Sequence, residues 1–261
     1  MSVGSNAPSA PRCSISVFFP CFNEEDNIAS LVREALHVLP ALADDFEIIV
    51  VDDGSSDATG RIADDLARTD PRVRVVHHEK NGGYGIALRS GFQAATKDLV
   101  FYTDGDGQFV LSEIARLLPH LDKADVVAGY RSRRRDPLRR RICGSLWNAL
   151  VRRLLRFSSR DVDCAFKLCR RDLISRLSLK STGALISAEL LARSHRAGYR
   201  FFEVPVSHKP RIAGRQTGGN PKVILRAFRE LWRLRKDILA APRRDRGPDR
   251  KEFDGDTSWR Q

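Results

Sequence analysis

The first half of the sequence alternates short, strongly apolar runs with amphipathic stretches, and this alternation limits the possible folds more than any other feature. Val, Ile, Leu and Phe dominate the runs, which is typical of strands that are buried on both faces. The amphipathic stretches between them predict helices, so the pattern indicates an α/β fold with a parallel sheet and helices on both faces. The runs are "ISVFFP", "FEIIVVDD", "VRVVHH", "LVFYTD" and "DVVAGY".

The second apolar run ends in two adjacent carboxylates, Asp52 and Asp53, within "VVDDGSSD". Ligands of parallel sheets bind beyond the carboxyl ends of the strands, where a carboxylate can accept hydrogen bonds from a ribose or a base N–H. We therefore expect Asp52 and Asp53 to contact a nucleotide. The alternative is a local role, with Asp53 in a turn. For Asp57 we prefer the interpretation that it caps the next helix.

The fourth apolar run leads into Asp104 and Asp106, which a single glycine separates. Two carboxylates this close beyond a strand can bind one hard divalent cation, Mg²⁺ or Mn²⁺, which would neutralise charge on a leaving diphosphate. An Asp-Gly turn without a metal is the alternative. The acidic end of the second run, expected at the same edge of the sheet, favours the metal.

The segment "NGGYGIALRSGF", residues 81–92, places glycines ahead of a helical pattern. Its spacing fits neither the Walker pattern nor GxGxxG. Two interpretations stay open: a close approach of the backbone to a nucleotide at the start of the helix, and a plain turn.

Two basic amphipathic helices are predicted in the second half, one after a basic loop and one from Pro221 onward. Such helices can lie in a membrane interface, and an ordinary solvated face fits the pattern equally well. Their predicted apolar faces are Leu138, Ile142, Leu146, Leu150, Leu154 and Phe157 in the first helix, and Ile224, Phe228, Leu231 and Ile238 in the second. Between them we predict strands at "CAFKLC" and "RFFEVPVSHK", with helices around "LISRLS" and "LISAELLARSHRAG".

The composition narrows the class of protein. A net charge of +12 suits nucleic acid, an anionic membrane surface or a phosphorylated small molecule. Five cysteines without a CxxC pair predict neither a disulfide framework nor a zinc site, so we expect a reduced, cytoplasmic protein. We predict a flexible leader at residues 1–12, one domain at 13–241 and a disordered tail at 242–261. Since no apolar run is long enough to span a bilayer, any membrane contact is expected to be peripheral.

Seven short motifs run in order along the chain: "PCFNEEDNI", "VVDDGSSDAT", "NGGYGIALRSGF", "DGDGQF", "GYR", "DVDCAFKLCRR" and "EVPVSHKPRIAG". In this order the chain, over about residues 14–240, resembles family-2 glycosyltransferases of the GT-A fold. Within them it is similar to the polyprenol-phosphate (dolichol-phosphate) mannosyltransferase branch. The resemblance implies a mostly parallel, Rossmann-like sheet with C-terminal amphipathic helices. It also implies metal-dependent transfer of a sugar from a nucleotide-sugar donor.

The resemblance also implies roles for individual residues. The nucleotide-binding residues would be Pro20, Asn23, Glu24 and Asp53, to which the strand-end argument adds Asp52. The catalytic residues would be Asp104, Asp106 and Arg131, with the divalent metal on the two aspartates. The residues that bind the phosphates of donor and acceptor would include Gln108, Arg141, Ser145 and Arg211. Asp163 and Lys167 match a motif that lines the site, with packing or ion pairing as the alternative, and Glu189 matches a position without assigned chemistry.

The acceptor decides the mechanism. A polyprenyl phosphate is already an anionic nucleophile, so it needs positioning and charge neutralisation, which the arginines between Arg131 and Arg141 suit. We expect in-line displacement at the anomeric carbon with inversion. The alternative is a soluble hydroxyl acceptor, for which Asp106 or another carboxylate would serve as general base.

Two further alternatives lie outside catalysis. They are a nucleic-acid-binding module and a catalytically silent scaffold; the lack of a recognisable reader motif disfavours nucleic acid as a partner. We expect a cytoplasmic location, with any lipid contact at the inner face of the membrane.

Overall fold

The computed structural model describes residues 13–132, 138–210 and 221–240, with the backbone alone for 138–143 and 221–226. The described residues form one seven-stranded sheet in the order β3-β2-β1-β4-β6-β5-β7. Its strands are β1 (Ser14–Cys21), β2 (Asp45–Asp52), β3 (Val73–His77), β4 (Leu99–Thr103), β5 (Val126–Arg131), β6 (Phe166–Arg170) and β7 (Phe201–Val206). Neighbouring strands are parallel except at β6, which is antiparallel to both β4 and β5. The prediction of a mostly parallel sheet is confirmed.

Helices connect the strands, as the alternating pattern predicts. They are α1 (Ile28–Val38), α2 (Thr59–Thr69), α3 (Tyr84–Ala94), α4 (Leu138–Leu155), α5 (Arg171–Arg176), α6 (Ile186–Arg196) and α7 (Pro221–Ala240). Because every strand except β6 runs in one direction, the carboxyl ends of β1, β2, β3, β4, β5 and β7 lie at one edge of the sheet. We call this the carboxyl edge.

The core lies around the central strand β1. Val17, Phe18 and Phe19 are completely buried, and since successive side chains of a strand point to opposite faces, both faces of β1 are covered. The ring of Phe18 contacts Phe92 of α3 and Tyr102 of β4, at centroid distances of 5.1 and 5.5 Å. The expectation that every strand is covered on both faces is wrong for β3. That strand lies at the edge of the sheet, and two of its five side chains are exposed.

The predicted apolar face of α4 agrees with the structure in part, since Leu150 and Leu154 are partly buried and pack against the core. Asn148, Val151 and Leu155 are buried, whereas Leu146 is 67% exposed. Phe157 is buried, but it follows the end of the helix and a left-handed residue, Arg156 with φ 57°. The side chains of Leu138 and Ile142 lie outside the described residues. The error concerns Leu146, because a three-to-four spacing does not show which of its members turns toward solvent.

Helix α7 shows the same division. Leu231, Leu234 and Ile238 are buried, while Phe228 and Trp232 are 45% and 56% exposed. The Phe228 ring packs instead at right angles against Trp147 of α4, with centroids 5.2 Å apart. Trp147, Phe228 and Trp232, which lies one turn beyond Phe228 on α7, form a surface that we call the α4–α7 apolar patch. The side chain of Ile224 lies outside the described residues.

Three expectations concern the whole chain. In the described part of the chain, no helix is both long enough and apolar enough to cross a membrane. Cys13, Cys21, Cys164 and Cys169 carry free thiols, and Cys143 lies outside the described side chains. The predicted leader and tail also lie outside the described residues, so the domain limits stay a prediction.

Candidate active site

Four carboxylates meet around one buried thiol at the carboxyl edge. In the register of the sheet, Cys21 at the end of β1 lies beside Asp52 at the end of β2. Burial raises the pKa of the Cys21 thiol well above its usual value, and the negative charges of Glu24, Asp52, Asp104 and Asp106 raise it further. The structure therefore brings the predicted nucleotide-binding and metal-binding acids into one acidic cluster.

The loops after β1 and β2 are joined to each other by side-chain hydrogen bonds. The backbone N–H of Asn23 donates a hydrogen bond of 3.0 Å to Ser55 Oγ, and the backbone N–H of Ser56 donates one of 2.8 Å to Asn23 Oδ1. Glu24 N–H donates to Thr59 Oγ1 at 2.8 Å. Asn23 adopts a left-handed conformation, φ 57°, which Asn tolerates better than most residues. The two predicted nucleotide-binding segments thus form one surface.

Pro20 and Asp57 border the same surface. Pro20 is buried in β1 beside Val51 of β2. Asp57 accepts a hydrogen bond of 2.9 Å from the N–H of Thr59, the first residue of α2, although it lies one position before the N-cap residue Ala58 and not at the cap itself. Asp57 also accepts a hydrogen bond of 3.2 Å from the N–H of Glu25, so it stabilises the loop after β1 as well as the start of α2.

Asp52 interacts through both carboxylate oxygens with nearby protein groups. Its Oδ1 accepts a hydrogen bond of 3.0 Å from the N–H of Ser55, and its Oδ2 lies 3.1 Å from Nδ1 of His77. The other ring nitrogen of His77 lies 2.9 Å from Oδ1 of Asp64. The hydrogen bond to Asp64 and then that to Asp52 raise the pKa of His77, against the opposing effect of burial. Asp52 therefore shapes the turn after β2.

Asp53 fixes residues 81–85, which we call the glycine segment. Oδ1 of Asp53 lies 2.6 Å from Nδ1 of His78 and accepts a hydrogen bond of 2.9 Å from the N–H of Gly82. Oδ2 accepts a hydrogen bond of 2.8 Å from the N–H of Gly83, whose φ of 98° favours glycine. The backbone groups that a phosphate-binding loop would present are thus bound by Asp53. This observation favours the turn interpretation of the segment.

The first residue of α3 connects the glycine segment to the metal-binding candidates. The hydroxyl of Tyr84 donates a hydrogen bond of 2.8 Å to Oδ1 of Asp104, which directly follows β4. Sequence reasoning missed Tyr84, because only the fold brings it to a residue 20 positions away. A tyrosine between loop glycines is the one local signal that could have found it.

Asp104 lies in an environment that disfavours its negative charge. Burial and then the charge of Asp106 raise its pKa to about 7, although Tyr84, Lys167 and Arg131 act in the opposite direction. Oδ1 of Asp106 accepts a hydrogen bond of 3.1 Å from the N–H of Gln108. Two like charges in a buried site are costly unless a cation or a proton neutralises them.

The residues present fit a divalent cation. Oxygen ligands are those that Mg²⁺ and Mn²⁺ prefer, and Asp104 and Asp106 supply two carboxylates close to each other. The hydroxyl of Thr103, next to Asp104, is buried without a hydrogen-bond partner in the described structure. Within the described residues, no three or more His, Cys, Asp or Glu side chains are grouped as metal ligands. This arrangement suits a cation that takes its other ligands from a bound diphosphate and water.

Gly105 allows the chain to pass close to β1. A Cβ atom at this position would lie 2.6 Å from Sγ of Cys21 and 3.0 Å from the carbonyl oxygen of Pro20. Any larger residue would push the two aspartates away from the carboxyl edge. The glycine between them is therefore required by packing.

Lys167 supplies a buried positive charge under this site. It is completely buried in β6, beside Tyr102 of β4, and its ammonium group donates to the carbonyl oxygens of Val162 and Cys164. Its charge lowers the pKa of Asp104, so its effect on the site is electrostatic. Asp163, the other residue of this motif, is exposed.

Arg131 is held at the end of β5 by a two-point ion pair. Its Nε and one terminal nitrogen donate to the two carboxylate oxygens of Asp161, at 2.7 and 2.8 Å. The buried carboxylate raises the pKa of Arg131, although burial alone would lower it. The arginine therefore keeps a fixed orientation and its charge acts on Asp104.

The predicted phosphate-binding residues are only partly brought together. The side-chain amide of Gln108 donates a hydrogen bond of 2.8 Å to the carbonyl oxygen of Lys209. In return, the backbone N–H of Lys209 donates one of 2.7 Å to the backbone carbonyl oxygen of Gln108. Ser145 is exposed on α4. The side chain of Arg141 and all of Arg211 lie outside the described residues.

Glu189 has a structural role that its sequence position did not reveal. It is completely buried in α6, and its carboxylate accepts hydrogen bonds from the N–H groups of Lys180 and Ser181 and from Nε of Arg193. The shortest of these bonds measure 2.7 Å. Glu189 thus orders the loop that precedes α6.

The comparison with known families decides the class of protein. A sequence model described as "Glycosyl transferase family 2" matches residues 16–178, more than half of the chain. The chain belongs to glycosyl transferase family 2. The matched region contains the acidic cluster, the glycine segment, Arg131 and Lys167, so the predicted resemblance is confirmed.

Curated relatives place this glycosyltransferase near enzymes named for polyprenyl phosphates. It is 32% identical, over 78% of its own length and 81% of the relative, to polyprenol monophosphomannose synthase of Mycolicibacterium smegmatis. It is 33% identical, over 80% of its length and 64% of the relative, to undecaprenyl-phosphate 4-deoxy-4-formamido-L-arabinose transferase of Edwardsiella ictaluri. Glycosyltransferase AglD of Haloferax volcanii is 33% identical over 78% of the chain, which spans about a third of that relative.

Solved structures show the same fold. Glucosyl-3-phosphoglycerate synthase of Mycobacterium tuberculosis, crystallised with Mn²⁺, UDP and phosphoglyceric acid, superposes with a TM-score of 0.64 at 22% identity. The match covers 88% of this glycosyltransferase and 80% of the crystallised chain. The α/β fold of this glycosyltransferase is therefore of the GT-A type.

Proposed function

We propose that this glycosyltransferase transfers a sugar from a nucleoside-diphosphate sugar to a polyprenyl phosphate, with inversion at the anomeric carbon. The observation that carries the proposal is the pair Asp104 and Asp106 at the carboxyl edge. Burial and the like charge of Asp106 raise the pKa of Asp104 to about 7, as expected of a site that binds a cation.

Asp104 and Asp106 would hold the divalent metal, Mg²⁺ or Mn²⁺. A bound cation of this kind neutralises the charge that develops on a departing diphosphate. Tyr84 orients Asp104, and Gln108 orients Asp106 through its backbone N–H. The crystallised relative that binds Mn²⁺ and UDP supports this assignment.

The nucleotide would lie on the surface that joins the loops after β1 and β2. Pro20, Asn23 and Glu24 border that surface from β1, and Asp52 and Asp53 from β2. Because Asp53 is saturated by His78, Gly82 and Gly83, it would act mainly by fixing the shape of the pocket.

The acceptor would be a phosphate that is already charged. One of its oxygen atoms attacks the anomeric carbon from the side opposite the diphosphate, the carbon–oxygen bond to the diphosphate breaks, and the electron pair leaves with the nucleoside diphosphate. No proton has to be removed from the nucleophile, so no general base is needed. Arg131, oriented by Asp161, would hold the acceptor phosphate, and Gln108, Arg141, Ser145 and Arg211 would complete its contacts. The names of the two bacterial relatives support a polyprenyl phosphate.

To reach a lipid acceptor, the enzyme has to bind at a membrane surface, and the α4–α7 apolar patch is suited to this contact. Its exposed residues are Phe228 and Trp232, Leu146 is a further exposed apolar side chain on α4, and the same two helices carry exposed cations: Arg153, Arg229, Arg233 and Lys236. A stripe of large apolar side chains flanked by cations matches an anionic bilayer interface. We place the enzyme at the cytoplasmic face of a membrane, in peripheral contact with it.

A binding screen tests the donor and metal parts of this proposal. Thermal shift with a panel of nucleotide sugars and Mn²⁺ is compared between the parent protein, Asp104→Asn and Asp106→Asn. The matched control is Asp172→Asn on α5, at the opposite edge of the sheet. We expect one donor to stabilise the parent and the control only in the presence of the cation, and neither site variant. Equal stabilisation of all four proteins, or of none by any donor, would refute the site.

A further inference from the structure

Two carboxylates bind four consecutive backbone N–H groups in the loop before α6, residues 180–183, which we call the amide loop. Glu189 accepts from the first two, Lys180 and Ser181, as described above. Glu230 of α7 accepts from the next two, with its Oε1 at 3.0 Å from N of Thr182 and 3.4 Å from N of Gly183. A short loop whose every amide is bound by a side chain from another element has a fixed conformation.

The amide loop lies directly against the glycine segment. The N–H of Gly85 donates a hydrogen bond of 3.0 Å to the carbonyl oxygen of Thr182. A Cβ atom at Gly85 would lie 2.5 Å from the carbonyl oxygen of Ser181, and one at Gly83 would lie 2.8 Å from that of Thr182. No side chain fits between the two segments, so a shift of the amide loop must also shift the glycine segment.

The glycine segment in turn carries Tyr84 to Asp104. Tyr84 lies between the two glycines that touch the amide loop, and its hydroxyl bonds to Oδ1 of Asp104. A continuous series of contacts therefore runs from α7 through the amide loop to the proposed metal-binding carboxylate.

Glu230 lies on a different side of α7 from the apolar patch. At 100° per residue, it is about 160° around the helix from both Phe228 and Trp232, while Leu231, Leu234 and Ile238 face the core between them. One side of α7 thus presents exposed aromatic rings, and the other binds the amide loop.

We propose that Glu230 is a positioning residue for the donor site. By binding Thr182 and Gly183, it holds the amide loop against the glycine segment and so fixes Tyr84 on Asp104. The inference rests on the proposed nucleotide-sugar site for its effect on ligand binding, but the positioning itself is a property of the protein without ligand. The same contacts make α7 the element through which the exposed apolar patch is connected to the donor site.

The ligand-free test is hydrogen–deuterium exchange of the full chain. Glu230→Ala removes the carboxylate oxygen that accepts both hydrogen bonds, and Asp237→Ala is the matched control. The control makes the same charge change on the same helix, but Asp237 accepts its hydrogen bond of 2.9 Å from the exposed ammonium group of Lys180 and not from a backbone N–H of the amide loop. We expect faster exchange in Glu230→Ala both at residues 182–183 and at 84–86, and no change in the control. Faster exchange confined to residues 182–183, or no change at all, would overturn the proposal.

The ligand test measures the affinity of the Mn²⁺ complexes of UDP and of GDP. We expect roughly a fivefold loss in Glu230→Ala, partial recovery in Glu230→Gln, which keeps one acceptor oxygen, and less than a twofold change in the control. In a Tyr84→Phe background the further substitution Glu230→Ala should add nothing, since both act through the same contact. Additive losses would overturn the proposal. If the parent binds neither complex, the proposed donor site fails, and the exchange experiment still decides the role of Glu230.

Discussion

The hydroxyl of Tyr84 donates a hydrogen bond of 2.8 Å to Oδ1 of Asp104, and this contact joins the start of α3 to the end of β4. Tyr84 comes from the glycine segment and Asp104 from the acidic cluster, so the bond connects two motifs that the sequence separates. It favours the charged form of Asp104 against the burial that raises the pKa of that carboxyl group.

Tyr84→Phe is expected to weaken Mn²⁺–nucleotide binding about tenfold. The Asp104 carboxylate loses the charge-assisted hydrogen bond from the Tyr84 hydroxyl, while the aromatic ring stays in place. Isothermal titration calorimetry with Mn²⁺ and UDP or GDP measures this. Tyr199→Phe, before β7 and at the opposite edge of the sheet, is the control and should bind like the parent. Unchanged affinity in Tyr84→Phe would show that the contact does not matter for the metal.

Asp104→Asn is expected to stabilise the metal-free protein at pH 8 while it abolishes stabilisation by Mn²⁺ and donor. At this pH, above the pKa of about 7, Asp104 is ionised beside Asp106, and the isosteric amide removes the repulsion while it still accepts from Tyr84. We expect a gain on the order of 1 kcal/mol, or about 3 °C in Tm. Differential scanning calorimetry with and without Mn²⁺ tests this, and a lower Tm in the metal-free variant would contradict it.

Glu189→Ala is expected to destabilise the protein by about 3 kcal/mol, since it leaves the guanidinium of Arg193 and two backbone N–H groups without their buried acceptor. Urea denaturation gives the free energy of unfolding. Asp65→Ala, which removes two exposed ion pairs on α2, with Arg61 and Arg68, is the comparison and should cost less than about 0.5 kcal/mol. A loss of similar size in both variants would argue against the role assigned to Glu189.

His77 is expected to make stability depend on pH. Its hydrogen bonds to Asp64 and Asp52 raise the pKa in the folded state, so the folded protein binds the proton more tightly than the unfolded chain. The resulting stabilisation is complete below about pH 6.5, the value for an unperturbed histidine, and is lost as the pH rises through the folded pKa.

The difference in unfolding free energy between the parent and His77→Gln measures this effect. It should be larger at pH 5.5 than at pH 8.5, by less than about 1 kcal/mol, because the side chain is nearly half exposed. A difference that grows toward high pH would have the wrong sign.

Local patterns in the sequence predict much of this fold. The apolar runs that end at Asp52 and Thr103 are recognisable as buried strands, and the acids that follow them are recognisable as carboxyl-edge residues because parallel strands share one edge. The same reasoning does not show that β6 enters the sheet in the opposite direction, since direction depends on pairing between distant segments. It is this reversal that places Lys167 under Asp104.

The parts of the site that sequence reasoning missed are contacts over long sequence distances. His78 bonds to Asp53, Tyr84 to Asp104 and Glu230 to Thr182, and in none of them does the local sequence name the partner. The helix faces were predicted only in part for a related reason. Leu231 and Ile238 of α7 are buried as predicted, but a periodic pattern cannot show that Leu146 and Phe228, which share the spacing, are exposed.

The most direct test of the central claim is a transfer assay with the donor that the binding screen selects. The sugar is radiolabelled, and the acceptors are undecaprenyl phosphate in anionic vesicles and, separately, soluble hydroxyl compounds, all with Mn²⁺. We predict that the label enters the lipid phase with inverted anomeric configuration, and that Asp104→Asn abolishes the transfer. Label that stays in the aqueous phase, or that reaches only a hydroxyl acceptor, would contradict the account.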